Sequence, residues 1–183
     1  MKRAGIAVLL GLCAGLAFAD EGPVEVDARH DGKNIIISAH FAAEVPKDVA
    51  WQVMTDFEHM PQFMPQLDQS KVLQRDGDKW TVSQHGYVRV ALFNVSFDSV
   101  REIQLKPTEE LDARSIGGDA GQMQSVAQLS QLGAQTVVSY HAVWQPTSSL
   151  LASLGIGLLK SQLSAQFSAM RQEMKRRLVH AAS

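Results

Sequence analysis

The feature that most constrains this chain is its last long segment, Thr147 to about Val179. Apolar residues fall there at Ile156, Leu159, Leu163, Phe167, Met170, Met174 and Leu178. Gaps of three and four place them on one face of an α-helix. Lys160, Gln162, Gln166, Gln172, Glu173, Lys175 and Arg176 lie mostly off that stripe. At about 1.5 Å per residue the helix would run about 45 Å. No other stretch supports so long a helix, and nearly everything before it reads as strand. The stripe must therefore be buried against a sheet.

The strands are legible from a period of two. Val24 to Arg29 alternates weakly, His30-Asp31-Gly32-Lys33 is a turn, and Asn34 to Ala42 is rich in Ile and Phe. Pro46 then opens a short helix carrying Val49, Val53 and Met54 on one side. Pro61 and Pro65 forbid a long continuation, so a single helical turn is expected before the chain swings back to the sheet. Ser70 to Arg75, Lys79 to Ala91, Phe93 to Lys106, Glu110 to Ile116, Gln122 to Gln131 and Gln135 to Gln145 follow as strands. Short turns such as Asp76-Gly77-Asp78 separate them, which makes the sheet mostly antiparallel, with about seven strands.

Composition narrows the setting. Of 183 residues, 45% are hydrophobic and 20% charged, which suits one domain with a sizeable core. Lys2 and Arg3, the apolar run Ile6 to Leu12 and the Ala17-Phe18-Ala19 site have the form of a secretory signal peptide over residues 1–19, with cleavage after Ala19. The remaining residues, 20–183, read as a single domain with no further transmembrane segment. Cleavage would remove two positive charges and no negative ones, taking the formal charge from −2 to −4. Such a chain is a poor partner for nucleic acid. It would also lose Cys13, its only cysteine, and with it any disulfide or thiolate chemistry in the oxidising compartment, here taken as a bacterial periplasm.

One run is more specific. Val45-Pro46, Val49, Trp51, Val53 and the continuous stretch Asp56-Phe57-Glu58-His59-Met60-Pro61-Gln62-Phe63-Met64-Pro65 resemble a segment of the polyketide cyclase and coenzyme-Q-binding group. Met60 stands where that group often has Tyr. Met170-Arg171-Gln172-Glu173 with Arg176-Arg177 is similar to the group's helix end. The order of elements resembles the helix-grip fold of the START-like superfamily. The resemblance implies an α+β fold in which a curved antiparallel sheet wraps the C-terminal helix around a cavity. It implies binding of a lipid-like, isoprenoid or polyketide-like molecule.

Candidate lining residues are Met60, Phe63 and Met64 from the short-helix region, Trp80, Phe97, Met123 and Tyr140 from strands, and Leu151, Leu154 and Leu158 from the start of the long helix. The stripe divides in this reading: the glycine-interrupted Leu151 to Leu159 lines the pocket, and Leu163 to Leu178 is permanent packing. His85 and His141 are candidate polar cavity groups if both point inward. Asp56 is expected to cap or orient its turn, and Arg101 and Arg114 to pair with nearby acids such as Glu102, Glu109, Glu110 or Asp112, contact with an anionic head group being the other use open to these two arginines. No cofactor, metal set or catalytic residue is assigned. Nucleophile-elbow, zinc-protease, phosphate-loop and dinucleotide motifs are all absent. The leading expectation is a periplasmic carrier of a hydrophobic small molecule or lipid. A cyclase or aromatase using the same cavity and an envelope protein-interaction module are the alternatives. The basic helix end leaves room for peripheral membrane contact.

Overall fold

The computed structural model describes residues 22–90, 93–147 and 155–181. The expected signal peptide and the lining candidates Leu151 and Leu154 lie outside them. Eight strands form one antiparallel sheet: β1 (Glu25–Asp31), β2 (Asn34–Ala43), β3 (Leu67–Asp76), β4 (Lys79–Val90), β5 (Phe93–Lys106), β6 (Glu110–Gly118), β7 (Gln122–Leu132) and β8 (Gln135–Gln145). Helix α1 (Lys47–Thr55) and a 3₁₀ turn (Phe57–Gln62) follow β2, and helix α2 (Ile156–Ala181) closes the chain. The count is eight because the weakly alternating first segment pairs with β2 along its whole length, Glu25 to Asp31 against His40 to Asn34.

The sheet order is β1-β2-β8-β7-β6-β5-β4-β3. After β2 the chain leaves one edge, and α1 and the 3₁₀ turn carry it to the far edge. It then returns strand by strand until β8 pairs with β2. This route puts both short helical elements across one end of the concave face, where α1 meets α2. Pro46, with extended backbone, stands at the start of α1, and Ala50, Val53 and Met54 are its buried side. Thr136, fully buried on β8, donates its hydroxyl to the Val45 carbonyl at 2.7 Å and ties the β2–α1 connection to the sheet.

Period two is obeyed on every inward strand. Ile35, Ile37 and Phe41 on β2, Val82 on β4, Ile103 and Leu105 on β5, and Val138, Ala142 and Trp144 on β8 are buried. They form two apolar clusters. The larger joins β2 and β4–β8 to α1, the 3₁₀ turn, Met170 and Met174; the smaller joins Ala28, Ile35, Ile37, Ala142 and Trp144 to the first turns of α2. Gly86 permits one close crossing: a Cβ there would lie 2.4 Å from the Gln66 carbonyl oxygen. That oxygen accepts from the Tyr87 amide at 3.0 Å, so the chain entering β3 is held across β4.

Charged groups fasten the far end of α2. Asp56 caps nothing. Its carboxylate instead accepts from Arg177 Nη2 at 2.7 Å and pairs with His59 Nδ1 at 2.6 Å. Arg177 Nε also donates to Glu173, which is buried and bonded to Arg176 as well. The Asp of the sequence motif is thus a tie between the 3₁₀ turn and α2. Burial pushes the Asp56 pKa up, but the bonds from His59 and Arg177 more than reverse this and leave it lowered. Hydrogen bonding from Arg176 lowers that of Glu173 against the opposing effect of burial. A carboxylate with a depressed folded-state pKa stabilises above its unfolded value and loses that contribution as pH falls through the folded one. The melting temperature should therefore fall on acidification below about pH 4.5, the ordinary Glu value. In Glu173→Gln the same pH series should be flatter; an unchanged slope would count against this tie as the acid-sensitive element.

Candidate functional site

Between the sheet and α2 lies a cavity of about 300 Å³. It follows the seam between the two apolar clusters, and Tyr140 contacts both. Met54, Phe57, Met60 and Met64 close one region of the wall, the inward residues of β4–β8 form its floor, and Leu159, Leu163, Phe167 and Met170 form its roof. Phe167 is the centre of that roof. Its ring lies 5.8 Å from Phe41 and 5.3 Å from Tyr140. Gly121, at φ +103°, lets the β6–β7 connection pass against β8: a Cβ there would be 2.3 Å from the Gln145 carbonyl.

The sequence candidates divide. Met60, Met64, Phe97, Met123 and Tyr140 line the cavity. Phe63, Trp80 and Leu158 do not. Phe63 follows the 3₁₀ turn and lies under Arg177, whose guanidinium carbon is 5.9 Å from the ring centre. Trp80 has inward parity but sits at the β3–β4 turn, opposite Arg75. There Phe57 meets its ring edge-on at 6.0 Å and Arg75 covers it at 4.8 Å. Leu158 packs on the smaller cluster, while Leu159 reaches the cavity, because one residue turns a helix by about 100°. The division of the stripe also shifts: Leu163, Phe167 and Met170 are roof as well as packing, and Met174 is the first stripe residue wholly in the core.

Both candidate histidines face away. His85 pairs with Asp98 at 2.9 Å on the outer side of β4, and exposed His141 lies 3.4 Å from the Ser38 hydroxyl on the outer side of β8. Their strands place them opposite in parity to Gln84 and Tyr140, which are on the wall. Among the described wall residues there is no histidine.

The group that sequence reasoning misplaced is Arg101. Arg114 does pair with Glu102, bonding it at 2.7 Å. Arg101 instead points into the cavity. It shares parity with Phe97, Ile103 and Leu105 on β5, and that parity was the available signal; Glu102, the next residue, faces the other way. A register slip in the neighbouring strand β6 lies opposite Arg101. Val100 faces Gly117 and Arg101 faces Ser115, leaving Ile116 as an extra, half-exposed residue of β6. Such bulges bend a strand and redirect its side chains.

Arg101 is half-buried, with protein around most of its guanidinium. Its Nη2 donates to Gln84 Oε1, while Nε is cut off from water with no hydrogen-bond partner. Gln84 is held in turn, its amide donating to Ser70 Oγ at 3.1 Å and contacting Met60 Sδ at 3.7 Å. Burial lowers the Arg101 pKa, opposed by Tyr140, and no carboxylate offsets the charge among the described residues. Tyr140 is half-buried beside it. Burial raises its pKa, while a bond with Ser125 and the charge of Arg101 work in the other direction. The hydroxyl thus stays protonated at neutral pH and serves as a donor. Gln84, Ser99, Arg101, Ser115, Ser125 and Tyr140 make one polar band on an otherwise apolar floor.

Comparison with known proteins places this architecture. Structures sharing it include a STAR-related lipid transfer protein fragment from Xanthomonas axonopodis, at 13% identity and a TM-score of 0.72, covering 86% of this chain and 96% of that one. A protein from Thermus thermophilus gives 15% identity and a TM-score of 0.67, with 81% and 99% covered. The Zhui aromatase/cyclase from a Streptomyces species gives 18% identity and a TM-score of 0.59, with 79% and 96% covered. At these identities the likeness is one of fold, the helix-grip fold with its curved sheet and long C-terminal helix. No curated protein matches in sequence. Residues 43–171, which hold α1, the 3₁₀ turn, β3–β8 and the cavity-lining half of α2, match the sequence model for polyketide cyclase / dehydrase and lipid transport, and the chain belongs to that family.

Proposed function

We propose that this protein is a periplasmic binding or carrier protein that holds one hydrophobic molecule, lipid-like, isoprenoid or polyketide-like, between its sheet and α2. The cavity carries this reading. Protein interiors pack with few voids larger than a water molecule. A space of about 300 Å³ lined by Met, Phe, Leu and Ile falls at the lower end of small-molecule sites, about 300–1,000 Å³. Four wall residues are methionines (Met54, Met60, Met64 and Met123), a further one is Met170 in the roof, and methionine adapts its shape to varied apolar partners. The description of the family, which includes lipid transport, supports the same class of ligand. Export is supported by the basic, apolar and small-residue order of residues 1–19. Among the described residues no helix is long and apolar enough to cross a membrane.

A cyclase-type reaction is the second reading, and Tyr140 with Arg101 is the observation that favours it, since both could hydrogen-bond a substrate carbonyl. Of the acid–base candidates for this reading, His85, His141, Tyr87 and Tyr140, Tyr140 alone lines the cavity.

Native mass spectrometry of the purified protein should show one small apolar adduct per chain, released by organic solvent. After its removal, the neutral dye N-phenyl-1-naphthylamine should bind the cavity. Ala127→Phe, on the floor of the cavity, should weaken the dye at least about tenfold while circular dichroism stays native, since about 1.4 kcal/mol of lost contact suffices. A wild-type protein that carries no adduct and takes up no dye overturns the reading.

A further inference from the structure

Most arginines of α2 and of the outer sheet face have an anion. Arg75 pairs with Glu58, Arg114 with Glu102, Arg176 with Glu173, and Arg177 with Asp56 and Glu173. Among the described residues Arg101 has none, and it lies on the cavity floor. An arginine stays protonated in a protein, so its charge cannot be shed to suit an apolar room. A buried charge is retained at a cost unless something pairs with it. We propose that the occupant of the cavity supplies that partner: an amphiphile with a single carboxylate head, seated on Arg101, and an apolar body against the methionines and Phe167. The inference rests on the hydrophobic-ligand reading above and names the class of ligand.

Three further observations fit this head group. The guanidinium is positioned before any ligand arrives, because Gln84 holds Nη2 and is itself held by Ser70 and Met60. Preorganised donors lose little on binding. Arg101 lines the cavity, so part of its guanidinium fork faces the space that an incoming oxygen would enter. Bonds between arginine and carboxylate are charge-assisted and short, about twice as strong as neutral ones. Tyr140, kept protonated by its burial, is a second donor beside the same spot. The volume sets the other limit. About 300 Å³ suits one chain or one small ring system and not a two-chain lipid.

The test compares two probes with the same body. Purified, delipidated wild-type protein is titrated with the single-chain fluorescent acid cis-parinaric acid and with its methyl ester, which lacks the charge. The acid should bind at least about tenfold tighter, in line with the net worth of hydrogen bonds to a charged group. Arg101→Gln should bring the acid to the level of the ester and leave the ester unchanged, and Arg101→Lys should recover part of the difference. Equal affinity of the wild type for acid and ester overturns the acidic head group and leaves the hydrophobic-ligand reading standing. Failure of both probes takes that reading down as well. The wild-type comparison decides the matter by itself if Arg101→Gln does not fold.

Discussion

Phe41→Ala is expected to cost about 3–5 kcal/mol of folding stability. Phe41 is 1% exposed on β2, a strand hydrogen-bonded on both sides, to β1 and β8. Its backbone therefore cannot collapse into the space left by the ring. The side chain that could follow is Phe167, 5.8 Å away, but Phe167 is also held by Tyr140 and forms the cavity roof. The lost volume adjoins the cavity and enlarges it instead of being filled. Equilibrium urea unfolding should show a lower midpoint with an unchanged slope, as for a loss of stability with the same surface exposed. A loss under about 1 kcal/mol would mean that Phe167 swings down into the gap.

Arg101→Met should act with the opposite sign on the ligand-free protein and raise its stability by about 1–3 kcal/mol. Replacing buried charged groups by apolar residues of similar volume is often stabilising by such amounts. The methionine removes a desolvated cation that the described residues leave without an anion, and it adds apolar contact to Phe97 and Ile103 on the same strand face. Gln84 loses one bond but keeps Ser70. The same substitution removes the partner proposed for an acidic ligand. Addition of cis-parinaric acid should therefore raise the melting temperature of the wild type much more than that of Arg101→Met, because a ligand stabilises only through binding to the folded state. If Arg101→Met melts well below the wild type without ligand, the guanidinium is a structural support, and the argument from its cost fails.

Much of the fold was legible because its signals are local. Gaps of three and four from Ile156 to Leu178 require a one-sided helix, and α2 buries that side. Alternation from Lys79 to Gln145 requires strands, and inward parity follows from the apolar members, Val82 on β4 and Ile103 and Leu105 on β5. Asp56 was legible as a fixed point of the segment but not as a partner of Arg177, which is 121 residues away. Parity also states which face a side chain takes and not how far along the strand the cavity extends. Trp80 has the correct face and lies beyond the end of the cavity, under Phe57 and Arg75. Leu158 and Leu159 are neighbours in sequence, and packing against β1 and β2 sets the rotation that sends only the second to the cavity.

By itself, then, the sequence determined the secondary structure, the burial of one helix face against an antiparallel sheet, and the class of residue that forms the interior. Those properties depend on spacings of two, three and four residues. Tertiary structure alone decided that the interior is not filled, that the histidines stand outside it, and that Arg101 stands inside without an anion. The physical reason is that space and pairing are set by distances between elements remote in the chain. Glu102 adjoins Arg101 in sequence but is on the other side of the sheet, while Gln84 and Tyr140, 17 and 39 residues away, share its face because β4 to β8 join in order into one curved floor.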